Sequence, residues 1–374
     1  PYDVMDRGMV DELLQQHPRN IVRLILPRLV ADPVRTDSPY AQAAKLLTRW
    51  VEHRVLCTDP KPALYIYEYG TERHRVCGVV GALELRKRTE RTILPHEDVI
   101  PDIVSDRLAM MTAAQANLEP ILLVYDGAGT ASDIIATARD RRPLVDVSAS
   151  DGTTHRLWSI ADPAQQRAMK KRLAPHQALI ADGHHRYATY LELRRRHRLA
   201  GDTAGPWDRG LALLIDQSQF PLQLGAIHRS ISELTFGSLS VPAGFHLTDA
   251  KPLGPQGPRS PEKPGEVVLT DGVAERMLRL PAPATGVVID AEVVHDQLLP
   301  RWSVDEHRVG YHHTIAQTLH AAQQDGGIAI LLHPPSIDQV MAVARTGKML
   351  PRKSTSFGPK PRTGLVMRRF ADEL

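Results

Sequence analysis

Apolar residues in this chain change spacing repeatedly, from every second position to every third or fourth, which restricts it to folds that pack sheets against helices. Ala63-Leu64-Tyr65-Ile66-Tyr67-Glu68-Tyr69 alternates at period two and reads as a strand, with Val76 to Leu85 as its hairpin partner. Asp11-Glu12-Leu13-Leu14 and Ala41 to Val55 carry helical spacing. Further on, a helix is expected from about Ser105 to Asn117, a strand at Pro120 to Tyr125, a helix from Pro163 to Leu173, and the strand Ala178-Leu179-Ile180-Ala181 before a helix Arg186 to Arg198. Leu211 to Ile215, Leu222-Gln223-Leu224, Gly286-Val287-Val288-Ile289-Asp290 and Ile328 to Leu332 read as strands, with a helix from Thr314 to Gln324. The class is mixed α/β. Three segments are drawn: 1–90, 91–200 and 201–374, the last with a long Pro/Gly/Lys-rich loop near 251–264.

With 374 residues and 42% hydrophobic content, the chain has enough apolar material for one large core or two medium ones. Cys57 and Cys77 sit in no metal-ligand spacing and suggest no disulfide framework. No apolar run reaches the roughly 18 residues of a spanning helix and no basic-then-apolar leader opens the chain, so a cytoplasmic protein without membrane partners is expected. A net charge of +3 and 5% aromatic residues do not call for a nucleic-acid partner.

Chemistry concentrates at Asp182-Gly183-His184-His185-Arg186. A strand ends there, the glycine permits a tight turn, and the next helix offers unpaired N–H groups and the positive end of its dipole to an anion. Two histidines and an arginine in that first turn are unfavourable for the helix alone, because its dipole prefers negative charge there. A bound polyphosphate reverses that penalty. The competing explanation is a helix capped by Asp182 with basic side chains facing water.

The sequence Asp182-Gly183-His184-His185-Arg186-Tyr187 resembles the phosphate-binding signature of the superfamily of ParB nucleotide-binding domains, sulfiredoxin and free-serine kinases. Nearly the whole chain resembles the family known as domain of unknown function 1015, on Pro1-Tyr2-Asp3-Val4, Leu94-Pro95-His96-Glu97, Asp106-Arg107, Asn117-Leu118-Glu119-Pro120-Ile121, the Asp182 motif and Lys353-Ser354-Thr355-Ser356-Phe357-Gly358-Pro359-Lys360. It departs from the usual family pattern at Leu350 in place of methionine, at Ser356 and Gly358 where aromatics are common nearby, and at Ala188 in place of an acidic residue. The resemblance implies a ParB/sulfiredoxin-like nucleotide-binding core with added N- and C-terminal α/β segments. It also implies a small-molecule kinase acting on serine or a related hydroxy amino acid.

By that resemblance Glu97 is the general base on the acceptor hydroxyl, with His96 orienting it or touching phosphate. Asp182, Gly183, His184, His185 and Arg186 hold the phosphates of ATP, ADP or CTP, and Asp182 is the carboxylate nearest to magnesium brought with them. Lys353, Ser354, Thr355, Lys360 and Arg107 are the expected contacts to substrate or phosphate, a cationic loop with hydroxyl donors suiting a phosphate or a carboxylate. The alternatives are a ParB-like nucleotide switch without a small acceptor and, third, a DNA-binding protein or nuclease. The run Arg194-Arg195-Arg196-His197-Arg198 complements a helix C-terminus, and the adjacent His312-His313 lacks a metal-site spacing.

Overall fold

The computed structural model describes residues 5, 7–32, 34, 36–282 and 287–373. The Pro1-Tyr2-Asp3-Val4 block lies outside them. The chain divides into two compact units, the first made of residues 1–93, 99–222 and 359–374, the second of residues 94–98 and 223–358.

A mixed α/β architecture is present in both. The first unit holds the main part of an eight-stranded sheet. Inside its short edge strand, the spatial order is Ala178–Asp182, Ile121–Tyr125, Arg209–Asp216, Arg75–Glu84, Leu64–Gly70, Thr154–Ile160 and Val145–Ser148. Only the pairing of Ile121–Tyr125 with Arg209–Asp216 is parallel among the registers described, and strands from all three sequence segments take part. Ile121, Leu123, Ile180 and Ala212 are fully buried and form one core with Tyr187 and Tyr190. The expected hairpin forms with Tyr67 opposite Gly78 and Tyr69 opposite Val76.

Helix boundaries follow local chemistry. Ser38 accepts the Ala41 N–H and Pro39 occupies the first turn, which starts Pro39–Glu52. Asp162 and Pro163 start Pro163–Leu173 in the same way. The helix Pro101–Ala114 stops at Gln115, which takes a left-handed conformation.

In the second unit a sheet of mostly two- to six-residue strands runs His246–Leu247, Ala274–Arg279, Glu266–Thr270, Ile328–Leu332, His228–Ile231 and Val309–His312. Helices Ile315–Gln324 and Ile337–Thr346 belong to this unit. The strand expected at 286–290 does not form. Gly286 lies outside the described residues, Val287 to Ile289 carry no sheet pairing, and Asp290 opens the helical stretch Asp290–Val293. Asp290 accepts the Gly265 N–H and Ile289 is buried while Val287 is exposed, a distribution that a four-residue apolar run does not disclose. The loop near 251–264 lies inside the second unit, where Arg259 pairs with Glu275.

Candidate functional site

In the first unit, Asp182 ends its strand and Gly183 turns the chain at φ +96°. A Cβ at Gly183 meets Arg186 Nε and Ile121 Cγ2 at 3.0 Å, so both backbone angle and space favour glycine. The helix His184–Leu199 follows, with a glycine N-cap that provides no capping side chain. Capping by Asp182, the bland alternative, is therefore not what this carboxylate does. Lys360 donates to its Oδ1 and Arg186 to its Oδ2. Burial is the largest single influence and by itself raises the Asp182 pKa, but Lys360 and Arg186 together outweigh it and hold the carboxyl far below the usual carboxylate range.

Arg186 is only 9% exposed and also donates to the Pro120 carbonyl. Its guanidinium thus joins the end of one strand to the start of its neighbour and holds Asp182, a role beneath the turn. The Asp182–Arg186 spacing of four was the sequence signal for this pair. His185 Nε2 accepts the Ile100 N–H at 3.0 Å. His184 is half-buried in the same first turn. Arg107 lines a pocket together with Arg186, Glu119 and Tyr190; it is buried, donates to Asp106 and to the Ile25 carbonyl at 2.7 Å, and ties Pro101–Ala114 to the N-terminal helices.

In the second unit, Glu97 lies in a cradle of main-chain donors. Its Oε1 accepts the N–H groups of Ser354 and Thr355, both at 3.1 Å, and the Thr355 hydroxyl at 2.9 Å, while Oε2 accepts the Lys353 N–H at 3.3 Å. Lys353 takes φ +58°, the left-handed turn that lets successive N–H groups converge on one anion. The loop expected to suit a phosphate or carboxylate thus receives the protein's own carboxylate. Ser354 is buried, and its hydroxyl donates to the Pro351 carbonyl, so its side chain shapes the loop.

His96 is fully buried. Its Nε2 lies 2.8 Å from Thr355 Oγ1. That hydroxyl gives its single proton to Glu97, so Nε2 carries a proton and His96 orients Glu97 through Thr355. Arg229, which sequence reading missed, is fully buried, donates to the Lys353 carbonyl at 3.1 Å and lies over the Tyr311 ring. The strand His228-Arg229-Ser230-Ile231 holds one apolar residue, so nothing in its sequence signalled a buried arginine.

Three histidines of this unit titrate far below their ordinary range. Burial pushes His96 down to about 3, and burial followed by the charge of Arg229 pushes His228 and His295 down to about 4. The unfolded chain takes up these protons near pH 6.5 and the folded chain does not. Stability from neutral burial is therefore complete above about pH 6.5 and is lost as pH falls toward 4. Each histidine contributes a slope of up to about 1.4 kcal/mol per pH unit. Urea unfolding at pH 7.5 and 5.5 is expected to show a lower midpoint at the acid value and a smaller difference for His96→Gln; equal midpoints contradict neutral burial.

The family described as "Protein of unknown function (DUF1015)" matches residues 1–280, three-quarters of the chain. The chain belongs to this family. Among solved structures, the DUF1015 chain is similar to a free serine kinase in complex with AMP, with 13% identity and a TM-score of 0.42 over 85% of this chain and 98% of that one. It is also similar to SbnI with C-terminal truncation from Staphylococcus aureus, with 13% identity and a TM-score of 0.44 over 78% and 88%. A conserved hypothetical protein from Pyrococcus furiosus shows 13% identity and a TM-score of 0.38 over 79% and 97%. No curated protein matches the DUF1015 chain.

Other charged features of this DUF1015 protein are engaged internally. Arg194 donates to the Leu85 carbonyl, Arg195 and Arg196 pair with Glu192, Arg198 pairs with Asp208, and His197 stacks on Trp207 at 3.8 Å. The run is thus a helix end tied to its surroundings through Arg194, His197 and Arg198, while Arg195 and Arg196 pair with Glu192 of the same helix. His312 Nε2 lies 2.8 Å from Ser230 Oγ and His313 Nδ1 lies 3.1 Å from Ser356 Oγ, so the adjacent pair points to different partners. Among the described residues no three His, Cys, Asp or Glu side chains cluster as metal ligands, and no helix is long and apolar enough to cross a membrane.

Proposed function

We propose that this protein is a nucleotide-dependent phosphotransferase acting on the hydroxyl of a small molecule, serine or a related hydroxy amino acid. The observation that carries this reading is Asp182, kept ionised by Lys360 and Arg186 at a glycine turn that opens a long helix without a capping side chain. The main-chain donors of Gly183, His184 and His185 and the Lys360 ammonium are the groups suited to the phosphates of ATP, ADP or CTP. Arg186 acts through Asp182. The resemblance of this motif to ParB domains and free-serine kinases supports the same assignment.

A magnesium ion brought with the nucleotide would supply neutralisation of charge on the phosphoryl group. Such an ion needs only one or two protein carboxylates, and the ionised Asp182, whose two oxygens now receive Lys360 and Arg186, is the group that would hold it. Glu97 is the proposed acceptor of the hydroxyl proton, with His96, Thr355 and the Lys353 and Ser354 amides fixing its orientation. A second reading, a nucleotide switch without a small acceptor, is favoured by how fully Glu97 Oε1 is engaged.

The test is incubation with magnesium, each of ATP, ADP and CTP, and a panel of hydroxy amino acids, followed by mass spectrometry. A phosphorylated hydroxy amino acid is the expected result. Nucleotide turnover indifferent to every acceptor supports the switch, and absence of nucleotide binding removes both readings.

A further inference from the structure

Lys360 reaches Asp182 from a segment that other side chains hold in place, all of them in the first unit. Tyr67 and Tyr69 lie on one face of the strand Leu64–Gly70, their rings stacked with centroids 4.8 Å apart. The Tyr69 hydroxyl donates to the Pro359 carbonyl at 3.1 Å, on one side of Lys360. On the other side, the Arg362 N–H donates to the Tyr67 hydroxyl oxygen at 3.1 Å. Two phenols thus grip the main chain before and after the lysine.

Hydrogen bonding fixes the direction of the Tyr67 hydroxyl. Thr153 Oγ1 lies 2.6 Å from Asp151 Oδ1, an acceptor only, and must give its proton there. It then accepts from His155 Nε2 at 3.0 Å, which leaves His155 Nδ1 as the acceptor for the Tyr67 hydroxyl at 2.9 Å. Tyr67 donates to His155 and its oxygen lone pairs face Arg362. The circuit closes where the Arg362 guanidinium pairs with Asp151. Tyr67, Tyr69 and His155 are all nearly fully buried, and burial pushes the Tyr67 phenol up to about 12, so the hydroxyl keeps its proton at neutral pH.

We infer that Tyr67 and Tyr69 are positioning residues that set the Lys360 ammonium for nucleotide phosphate, with Asp151, Thr153 and His155 fixing the orientation of Tyr67. This rests on the proposed role of Lys360 in holding phosphate. A flexible lysine acts as a point charge, so its contribution depends on where its main chain is held. Tyr69→Phe removes one hydrogen bond and Tyr67→Phe removes two, one to His155 and one from Arg362, and both variants keep the stacked ring.

Two measurements decide the matter. Calorimetric titration with magnesium–ADP is expected to show affinity about 3- to 10-fold weaker in Tyr69→Phe and in Tyr67→Phe, the scale of one hydrogen bond. In a Lys360→Met background, Tyr69→Phe should add almost nothing, because its effect passes through that lysine. Full additivity of the two changes, or wild-type affinity in both tyrosine variants, overturns the inference. Amide hydrogen exchange of Lys360 and Arg362 in the unliganded protein is expected to quicken in both variants, most at Arg362 in Tyr67→Phe. If wild-type protein binds no nucleotide, the functional reading fails by itself; unchanged exchange overturns the clamp independently of that result.

Discussion

Glu97→Gln is expected to lower phosphorylated-product formation by about 10²- to 10⁴-fold, the usual contribution of a general base, while leaving nucleotide affinity within about twofold. The substitution is a clean one for a specific reason. Three donors converge on Oε1, and a glutamine carbonyl oxygen accepts them equally well. Oε2 receives the longer Lys353 contact at 3.3 Å, so placing an NH₂ group there sacrifices the weakest bond of the cradle. The loop is therefore retained while the basic oxygen is lost. Turnover is measured by mass spectrometry of the product and affinity by calorimetry. Normal product formation by Glu97→Gln removes Glu97 from the chemistry and leaves it as the internal anion that shapes the 353–355 loop.

Asp182→Asn is expected to destabilise the first unit by about 3 kcal/mol and to weaken nucleotide binding. The change leaves the Arg186 and Lys360 cations, with side chains 11% and 30% exposed, without their shared counter-charge. Removal of one member of a buried pair costs about 3–5 kcal/mol, and the partial exposure of Lys360 and of Asp182 itself, at 21%, favours the lower end. Denaturant unfolding provides the measurement. The double variant Asp182→Asn/Lys360→Met should recover part of the loss, since it removes one stranded cation. A double variant no more stable than Asp182→Asn contradicts this electrostatic account.

Much of the local architecture was readable from the residues. Period-two alternation placed Leu64–Gly70 and its partner, the apolar run before Asp182 gave a strand, and Gly183 gave the turn into a helix. The Val145–Ser148 and Glu266–Thr270 strands escaped notice, the first being mostly exposed and the second buried throughout, so neither carries the alternation of a half-buried strand. At 286–290 an apolar run was read as a strand because periodicity over so few residues does not separate a strand from the approach to a helix.

The sequence by itself determined many of the strands and helices, and it marked Asp182 to Arg186 as an unusual helix start, because spacing, glycine and capping chemistry act within a few residues. Only the tertiary structure decided what each charged group touches. Lys360 meets a carboxylate 178 residues away, and Glu97 meets amides more than 250 residues away. Such pairings depend on how strands and loops return through space, which no local spacing encodes. They turned Arg186 and Ser354 inward and gave Tyr67 and Tyr69 a grip on the segment that carries Lys360.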